Sequence, residues 1–170
     1  MLLLLAKVGI ASAAYQDLLR SVVQIRTSQE SIKTNEAGVE SKSTSYKIGT
    51  GFFYKVDKDK EVVYIMTAGH VIGHRKQTIE VRTFWQDSSR WIGAKAHKVV
   101  YDKNVVGMDG AILTIPIDKF PSYSKTIKWK KKREPVKINK VLITYGYPGG
   151  QWPSLIVAKI FSVRDDGLLI

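Results

Sequence analysis

GTGFFYKV at residues 49–56 and EVVYIMT at residues 61–67 decide the fold class of this chain. Both runs are short and rich in β-branched and aromatic residues, and the charged residues 57–60 separate them. Runs of this kind on either side of a short polar turn are typical of two consecutive β-strands. The stretch therefore predicts two strands joined by a turn.

Similar runs lie on both sides of this pair, at residues 21–27, 78–85, 91–101, 110–117, 140–145 and 155–163. Residues 28–47 are mostly polar, and this composition predicts a long loop. Many short strands without helical patterns between them indicate a sandwich or barrel rather than alternating strands and helices. The chain is thus predicted to be all-β.

Length, cysteine content and charge narrow the classes of function. A chain of 170 residues suits one domain or two small ones. It has no cysteine, which excludes disulfide scaffolds, Cys-ligated zinc, iron–sulfur clusters and a cysteine nucleophile. Its formal net charge of +12 favours attraction to anions but does not bear on the fold.

Residues 121–140 are the most basic part of the chain. They hold two prolines and eight Lys or Arg residues, opposed only by Glu134. Such a run is typical of a solvated linker, because its like charges repel one another and extend it. The alternative is weak binding of an anionic partner through the stretch from Lys125 to Lys140, which includes Trp129. We predict a linker, and the pattern makes no strong case for nucleic acid.

The N-terminal residues 1–14 are almost wholly apolar and end in the small residues ASAA. They are fewer than the roughly 20 apolar residues that span a bilayer. Their length and small-residue end fit a signal peptide, whereas Lys7 inside the run and the lack of an earlier basic residue do not. Residues 1–20 are therefore either a signal peptide, which would make the protein secreted or periplasmic, or a first helix. Membrane contact is expected only if the segment remains as an anchor.

Two polar residues lie at the ends of apolar strand candidates. His70 follows one strand within TAGHV (residues 67–71), and Asp109 precedes another within DGAIL (residues 109–113). A rigid strand end fixes an imidazole in position, which a general base requires. A carboxylate at the head of an apolar strand is costly to bury unless it is paired. An Asp that holds a His in one tautomer is used in nucleophilic hydrolysis. The two residues are therefore candidates for such a pair.

Four segments together resemble the trypsin-like serine proteases, and most closely their disulfide-free bacterial, HtrA-type branch. They are GTGFF, TAGHV, DGAIL and GYPG, which begin at residues 49, 67, 109 and 146. The resemblance covers the chain from residue 21 onward and implies a chymotrypsin-like double β-barrel. Residues 21–120 would form a complete first barrel that carries His70 and Asp109, and residues 141–170 the start of an incomplete second barrel.

The resemblance also implies a function. His70 would be the general base and Asp109 the acid that orients it, in a serine endopeptidase that acts on protein or peptide substrates without a cofactor. If the resemblance holds, the two side chains lie within hydrogen-bond reach. Gly110 stands where the family usually has an aliphatic residue. The alternative is a non-catalytic binding module on the same fold, with the basic stretch as its binding segment.

The family's nucleophile does not occur in this sequence. It lies in a Gly-x-Ser-Gly segment whose backbone N–H groups also form the oxyanion hole, and the 170 residues contain no such segment. The resemblance implies that the serine would follow residue 170, so the chain as given is expected to be inactive. The incomplete second barrel is expected to leave an edge and apolar side chains exposed, namely Val141, Ile143, Ile156 and Ile160.

A metal site is the weakest of the chemical alternatives. His70 and His74 have the i,i+4 spacing that can bind zinc on a helix. His97 is distant in sequence, within a strand candidate, and no third ligand with suitable spacing is evident. We predict neither a metal nor a cofactor.

Overall fold

The computed structural model describes residues 16–73, 77–83, 90–102, 109–127, 137–150, 154–164 and 167–169. In these ranges the protein is almost entirely β, as predicted. The ten described strands are β1 (Val22–Thr34), β2 (Glu40–Asp57), β3 (Val62–Thr67), β4 (Thr78–Thr83), β5 (Ile92–Tyr101), β6 (Asp109–Pro116), β7 (Val141–Gly146), β8 (Ser154–Lys159), β9 (Ser162–Arg164) and β10 (Gly167–Leu169). A one-turn helix, α1 (Gly69–Ile72), follows β3, and short 3-10 turns occupy Ile117–Lys119 and Pro148–Gly150.

The first six strands close into an antiparallel barrel in the order β1-β2-β3-β6-β5-β4. The pairing of β2 with β3 is irregular between Phe53 and Lys55, and that of β5 with β6 between Ala96 and Lys98. Such bulges increase the local twist, which lets a sheet of few strands curve back on itself. The expected first barrel is therefore present and closed.

Alternating side chains of these strands fill the barrel. On β6, Ala111, Leu113 and Ile115 point inward while their neighbours are partly exposed. The core also holds Val23, Ile25, Phe53, Val63, Ile65, Val71, Ile72, Ile79 and Val81. Full burial of an aliphatic side chain contributes roughly 1.5–3 kcal/mol. This apolar filling stabilises the closed barrel.

Residues 28–47 form the outer halves of β1 and β2, so the predicted loop is wrong. The two strands pair residue by residue from Val22 opposite Phe52 out to Thr34 opposite Glu40. We call residues 28–47 the ribbon. Its residues are nearly all exposed, so neither face shows the apolar alternation that marks a strand in sequence. Backbone pairing and cross-strand contacts hold it instead, such as the 2.7 Å hydrogen bond between the hydroxyls of Ser31 and Ser43.

Strands β7 and β8 form a separate two-stranded sheet, and β9 and β10 form another. The turn after β7 contacts the barrel at two points. The N–H of Tyr147 donates to Thr50 Oγ1 at 2.9 Å, and Gln24 Nε2 donates to the carbonyl oxygen of Gly150. The described strands after residue 140 thus pair in twos and do not join the barrel's sheet.

The predicted exposure of apolar side chains after residue 140 is correct at three positions and wrong at one. Val141, Ile143 and Ile156 are 49%, 59% and 44% exposed. Ile160 is 1% exposed. Its backbone exchanges hydrogen bonds with Asn139 and Lys140. Alternation along a strand does not report which end of the strand tertiary contacts cover, so the sequence could not separate Ile160 from Ile156.

Two of the sequence predictions fall mainly outside the described residues. These are the nature of residues 1–14 and the part of the basic stretch at residues 128–136. The start of the predicted linker runs along the barrel, where the N–H groups of Lys125 and Ile127 donate to the carbonyl oxygens of Arg20 and Phe53. No helix in the described part of the chain is long and apolar enough to cross a membrane.

Candidate active site

The barrel brings His70 and Asp109 to the same edge of neighbouring strands. Strands β3 and β6 are antiparallel, and Thr67 at the end of β3 lies opposite Ala111 near the start of β6. His70 follows on α1, and Asp109 is the first residue of β6. His70 Nδ1 lies 2.7 Å from Asp109 Oδ2, and the backbone N–H of His70 donates to Asp109 Oδ1 at 2.7 Å. The predicted hydrogen-bond contact between the two residues is therefore confirmed.

This two-point contact fixes the tautomer of His70. An ionised carboxylate can only accept hydrogen bonds, so Nδ1 of the imidazole carries the proton that is shared with Asp109. Nε2 is then left with a free lone pair. Because the second carboxylate oxygen is held by the backbone of the same residue, the ring cannot turn without breaking a contact. The arrangement can accept a proton at Nε2.

Hydrogen bonds keep Asp109 ionised. The hydrogen bond from the His70 ring lowers the pKa of the carboxyl most, and the backbone N–H groups of His70 and Gly69 add to this, against a smaller opposing effect of burial. The side chain is 43% exposed, and that of His70 is 59% exposed. The sequence predicted that the Asp109 carboxylate is buried, and this prediction is wrong. The carboxylate is paired with His70, but it lies at the open end of the barrel and is only about half buried.

Close packing beneath α1 explains the glycines in the two sequence motifs nearest the site. A Cβ at Gly69 would lie 2.8 Å from Tyr101 Cβ and 2.9 Å from the carbonyl oxygen of Val100. A Cβ at Gly49 would lie 2.6 Å from both γ-carbons of Val71. Carbon atoms in ordinary contact are about 3.5–4.0 Å apart. Any larger residue at either position would displace the turn that carries His70.

Threonine hydroxyls tie the same turn to β1 and β2. Thr67 Oγ1 donates to the carbonyl oxygen of Thr50 at 2.8 Å. Thr27 Oγ1 donates to the carbonyl oxygen of Val71 at 3.3 Å, within the buried part of the barrel. These bonds satisfy backbone carbonyls that would otherwise lack partners. The position of His70 is thus set from both sides by side chains distant in sequence.

Two clefts flank the His–Asp pair. The first, which we call the ribbon cleft, has a volume of about 700 Å³ and lies between the ribbon and α1, with His70 in its wall. The second, which we call the sheet cleft, has a volume of about 620 Å³ and lies between Asp109 and the segment around Tyr147. Burial raises the pKa of the Tyr147 hydroxyl to about 12, an effect that Arg82 opposes. An extended chain that crossed from one cleft to the other would pass the imidazole.

One described serine lines either of these two clefts, but it does not contact the imidazole. Ser45 lies in the wall of the ribbon cleft, and its hydroxyl donates to the carbonyl oxygen of Gln29 at 3.4 Å. Within the described part of the chain, Asp109 alone hydrogen-bonds to His70. Ser45 therefore lacks the contact with a base that an activated nucleophile needs.

Of the other two histidines, only His97 lies within the described residues, and it stands apart from the His–Asp pair. His97 is on β5, where its ring contacts the ring of Tyr64 edge-on at 5.3 Å between centroids. His74, the partner of His70 in the metal alternative, lies outside the described residues. Among the residues that are described, no group of three His, Asp or Glu side chains could hold a metal ion.

Sequence reasoning identified His70 and Asp109 but missed the wall of the ribbon cleft. Lys47, Ser45 and Gln29 line this wall from the ribbon, and Gln77 lines it from the far side of α1. The ribbon was predicted to be a loop, so nothing placed its residues beside His70. The signal would have been the register of β1 with β2, which puts Gln29 opposite Ser45 and Thr27 opposite Lys47.

No protein-family model matches the chain, and no curated protein matches it. The barrel and the geometry around His70 are therefore the observations from which the function is inferred.

Proposed function

We propose that this chain carries the general base and the orienting acid of a trypsin-like serine endopeptidase with a chymotrypsin-like double barrel. The observation that supports the proposal most is the two-point contact between Asp109 and His70, at 2.7 Å on both the ring and the backbone. A hydrogen bond from Nδ1 alone is common for a histidine. The additional backbone contact holds the ring in one orientation, with Nε2 available as a base.

In this proposal, the histidine moves one proton between the nucleophile and the leaving group. Nε2 of His70 takes the proton of the serine hydroxyl as the serine oxygen bonds to the scissile carbonyl carbon. The imidazolium then gives this proton to the amine as the C–N bond breaks, and water repeats the sequence to release the acid. Asp109 stays ionised throughout and stabilises the imidazolium.

The 170 residues supply two of the three groups that this reaction needs. The serine and the backbone donors of the oxyanion hole would come from a Gly-x-Ser-Gly segment, which this sequence does not contain. We propose that strands β7 and β8 belong to the second barrel, which would carry that segment. The proposal assigns to this chain the base and the acid rather than a complete catalytic triad.

The test is covalent labelling by a fluorophosphonate probe, which reacts with activated serines. The gene's full-length product, identified by sequencing the transcript beyond codon 170, should be labelled and should hydrolyse casein. His70→Ala should abolish both activities. His97→Ala is the matched control, because it removes an exposed imidazole on the same barrel that lacks an acid partner in the described residues.

The 170-residue chain is expected to remain unlabelled. Loss of the nucleophile or of oxyanion donors lowers the rates of such enzymes by about 10²–10⁶. Labelling of the 170-residue chain, or a full-length product that His70→Ala leaves fully active, would contradict the proposal. So would a transcript that ends at codon 170.

A further inference from the structure

Lys47 brings a positive charge to the ribbon cleft. Lys47 lines it from β2, and no ion pair with Lys47 occurs among the described residues. No Asp or Glu lines the cleft in the part of the chain that the structure describes. Asp109 borders the sheet cleft instead, on the other side of the imidazole. The ribbon cleft therefore attracts negative charge next to the reacting histidine.

Neutral polar groups surround this charge. Gln77 lines the cleft, and among the described residues its buried Nε2 has no hydrogen-bond partner. Ser45 and Gln29 add further polar groups to the same wall. A lysine among neutral polar side chains suits a carboxylate better than it suits an amide or an apolar side chain.

The size and position of the cleft fit a residue of an extended peptide. Its volume of about 700 Å³ falls in the range of roughly 300–1,000 Å³ typical of ligand sites. His70 forms part of its wall, so a residue bound there lies beside the atoms that react. We infer that the ribbon cleft binds an aspartate or glutamate side chain of the substrate on one side of the scissile bond, with Lys47 as the specificity-determining residue. This inference rests on the proposed function, because it takes the bound peptide to be the substrate of the protease.

The test measures peptide binding and does not depend on catalysis. The 170-residue chain, labelled with ¹⁵N, is titrated with N-acetyl-Ala-Glu-Ala-amide and with its glutamine counterpart. The amide resonances of Ser45, Lys47 and Gly73 report binding. The glutamyl peptide should shift these resonances and bind about five- to tenfold more tightly than the glutaminyl peptide, as a partly exposed ion pair with hydrogen bonds would produce.

A matched pair of lysine substitutions separates the cleft from general charge attraction. Residues of one strand alternate between its faces, so Lys42 on β2 points to the opposite face of the ribbon from Lys47. Lys47→Ala should remove the preference for glutamate, and Lys42→Ala should change the affinity less than twofold. Equal affinity for the two peptides would overturn the inference, as would equal effects of the two substitutions.

The two proposals fail in different ways. Fluorophosphonate labelling that depends on His70, together with no preference for the glutamyl peptide, would overturn the acidic-side-chain inference alone. A glutamate preference that depends on Lys47, without labelling that depends on His70, would overturn the protease proposal alone.

Discussion

The Cβ added by a Gly49→Ala substitution should clash with the turn that carries His70. The new Cβ would lie 2.6 Å from both γ-carbons of Val71 and 3.2 Å from its Cβ. Val71 is 7% exposed, part of the core cluster, and the next residue after His70. At these distances the Val71 side chain or the turn that carries it must shift. The substitution therefore disturbs both the core and the position of the imidazole.

The magnitude follows from the two side chains involved. An overpacked core position costs about 1–3 kcal/mol, which is the expected loss in the free energy of unfolding for Gly49→Ala. Val71→Ala removes two buried methyl groups, at about 0.8 kcal/mol each plus a cavity contribution, so about 2–3 kcal/mol is expected. The double variant has no γ-carbons for the new Cβ to meet. Its cost should be close to that of Val71→Ala alone, which gives a coupling of about 1–3 kcal/mol.

Urea unfolding of the four proteins in this cycle measures the coupling. The control is Gly93→Ala on β5, where an added Cβ meets nothing within 4 Å. It should be neutral or stabilising by up to about 1 kcal/mol, since alanine reduces the entropy of the unfolded chain. The low-field proton resonance of His70 Nδ1 should weaken in Gly49→Ala and return in the double variant. Additivity within about 0.5 kcal/mol would refute the packing argument.

Three further predictions concern charge. The folded pKa of Asp109 is below its unfolded value, so its contribution to stability is present above about pH 4 and is lost as pH falls through the folded pKa. Urea unfolding measures the free energy of unfolding of wild type and of Asp109→Asn, and the difference between them should become smaller as the pH is lowered. A difference that does not change with pH would contradict this. Tyr147 has a pKa of about 12 in the folded protein. Because the pKa of its hydroxyl is about 10 in the unfolded chain, the free energy of unfolding should fall as the pH rises from about 10. Tyr147→Phe should remove the tyrosine that ionises at the highest pH in an ultraviolet titration. Replacing the four basic residues 130–133 with serine should change stability by no more than about 0.5 kcal/mol each and should weaken retention on heparin; unchanged retention would remove the support for an anionic partner.

Much of the fold could be predicted because each strand of the barrel has a sequence pattern that is typical of a strand. Apolar and β-branched residues in runs such as EVVYIMT at residues 61–67 have few alternatives to a buried strand. The pairing of His70 with Asp109 was also predictable, because each follows or precedes such a run and the resemblance supplied their order. The exposure of Asp109 could not be predicted, since it depends on how far the end of the barrel opens to solvent.

The all-β class, the approximate strands of the barrel and the two residues of the His–Asp pair could all be predicted from the sequence. That residues 28–47 form a ribbon could not, because exposed polar strands pair through backbone hydrogen bonds that leave no apolar pattern. Only the tertiary structure placed Lys47 in a cleft with His70, and only it set Gly49 against Val71. The last two contacts join residues 22 or more positions apart in sequence, and local patterns cannot report packing between segments that meet only when the barrel closes.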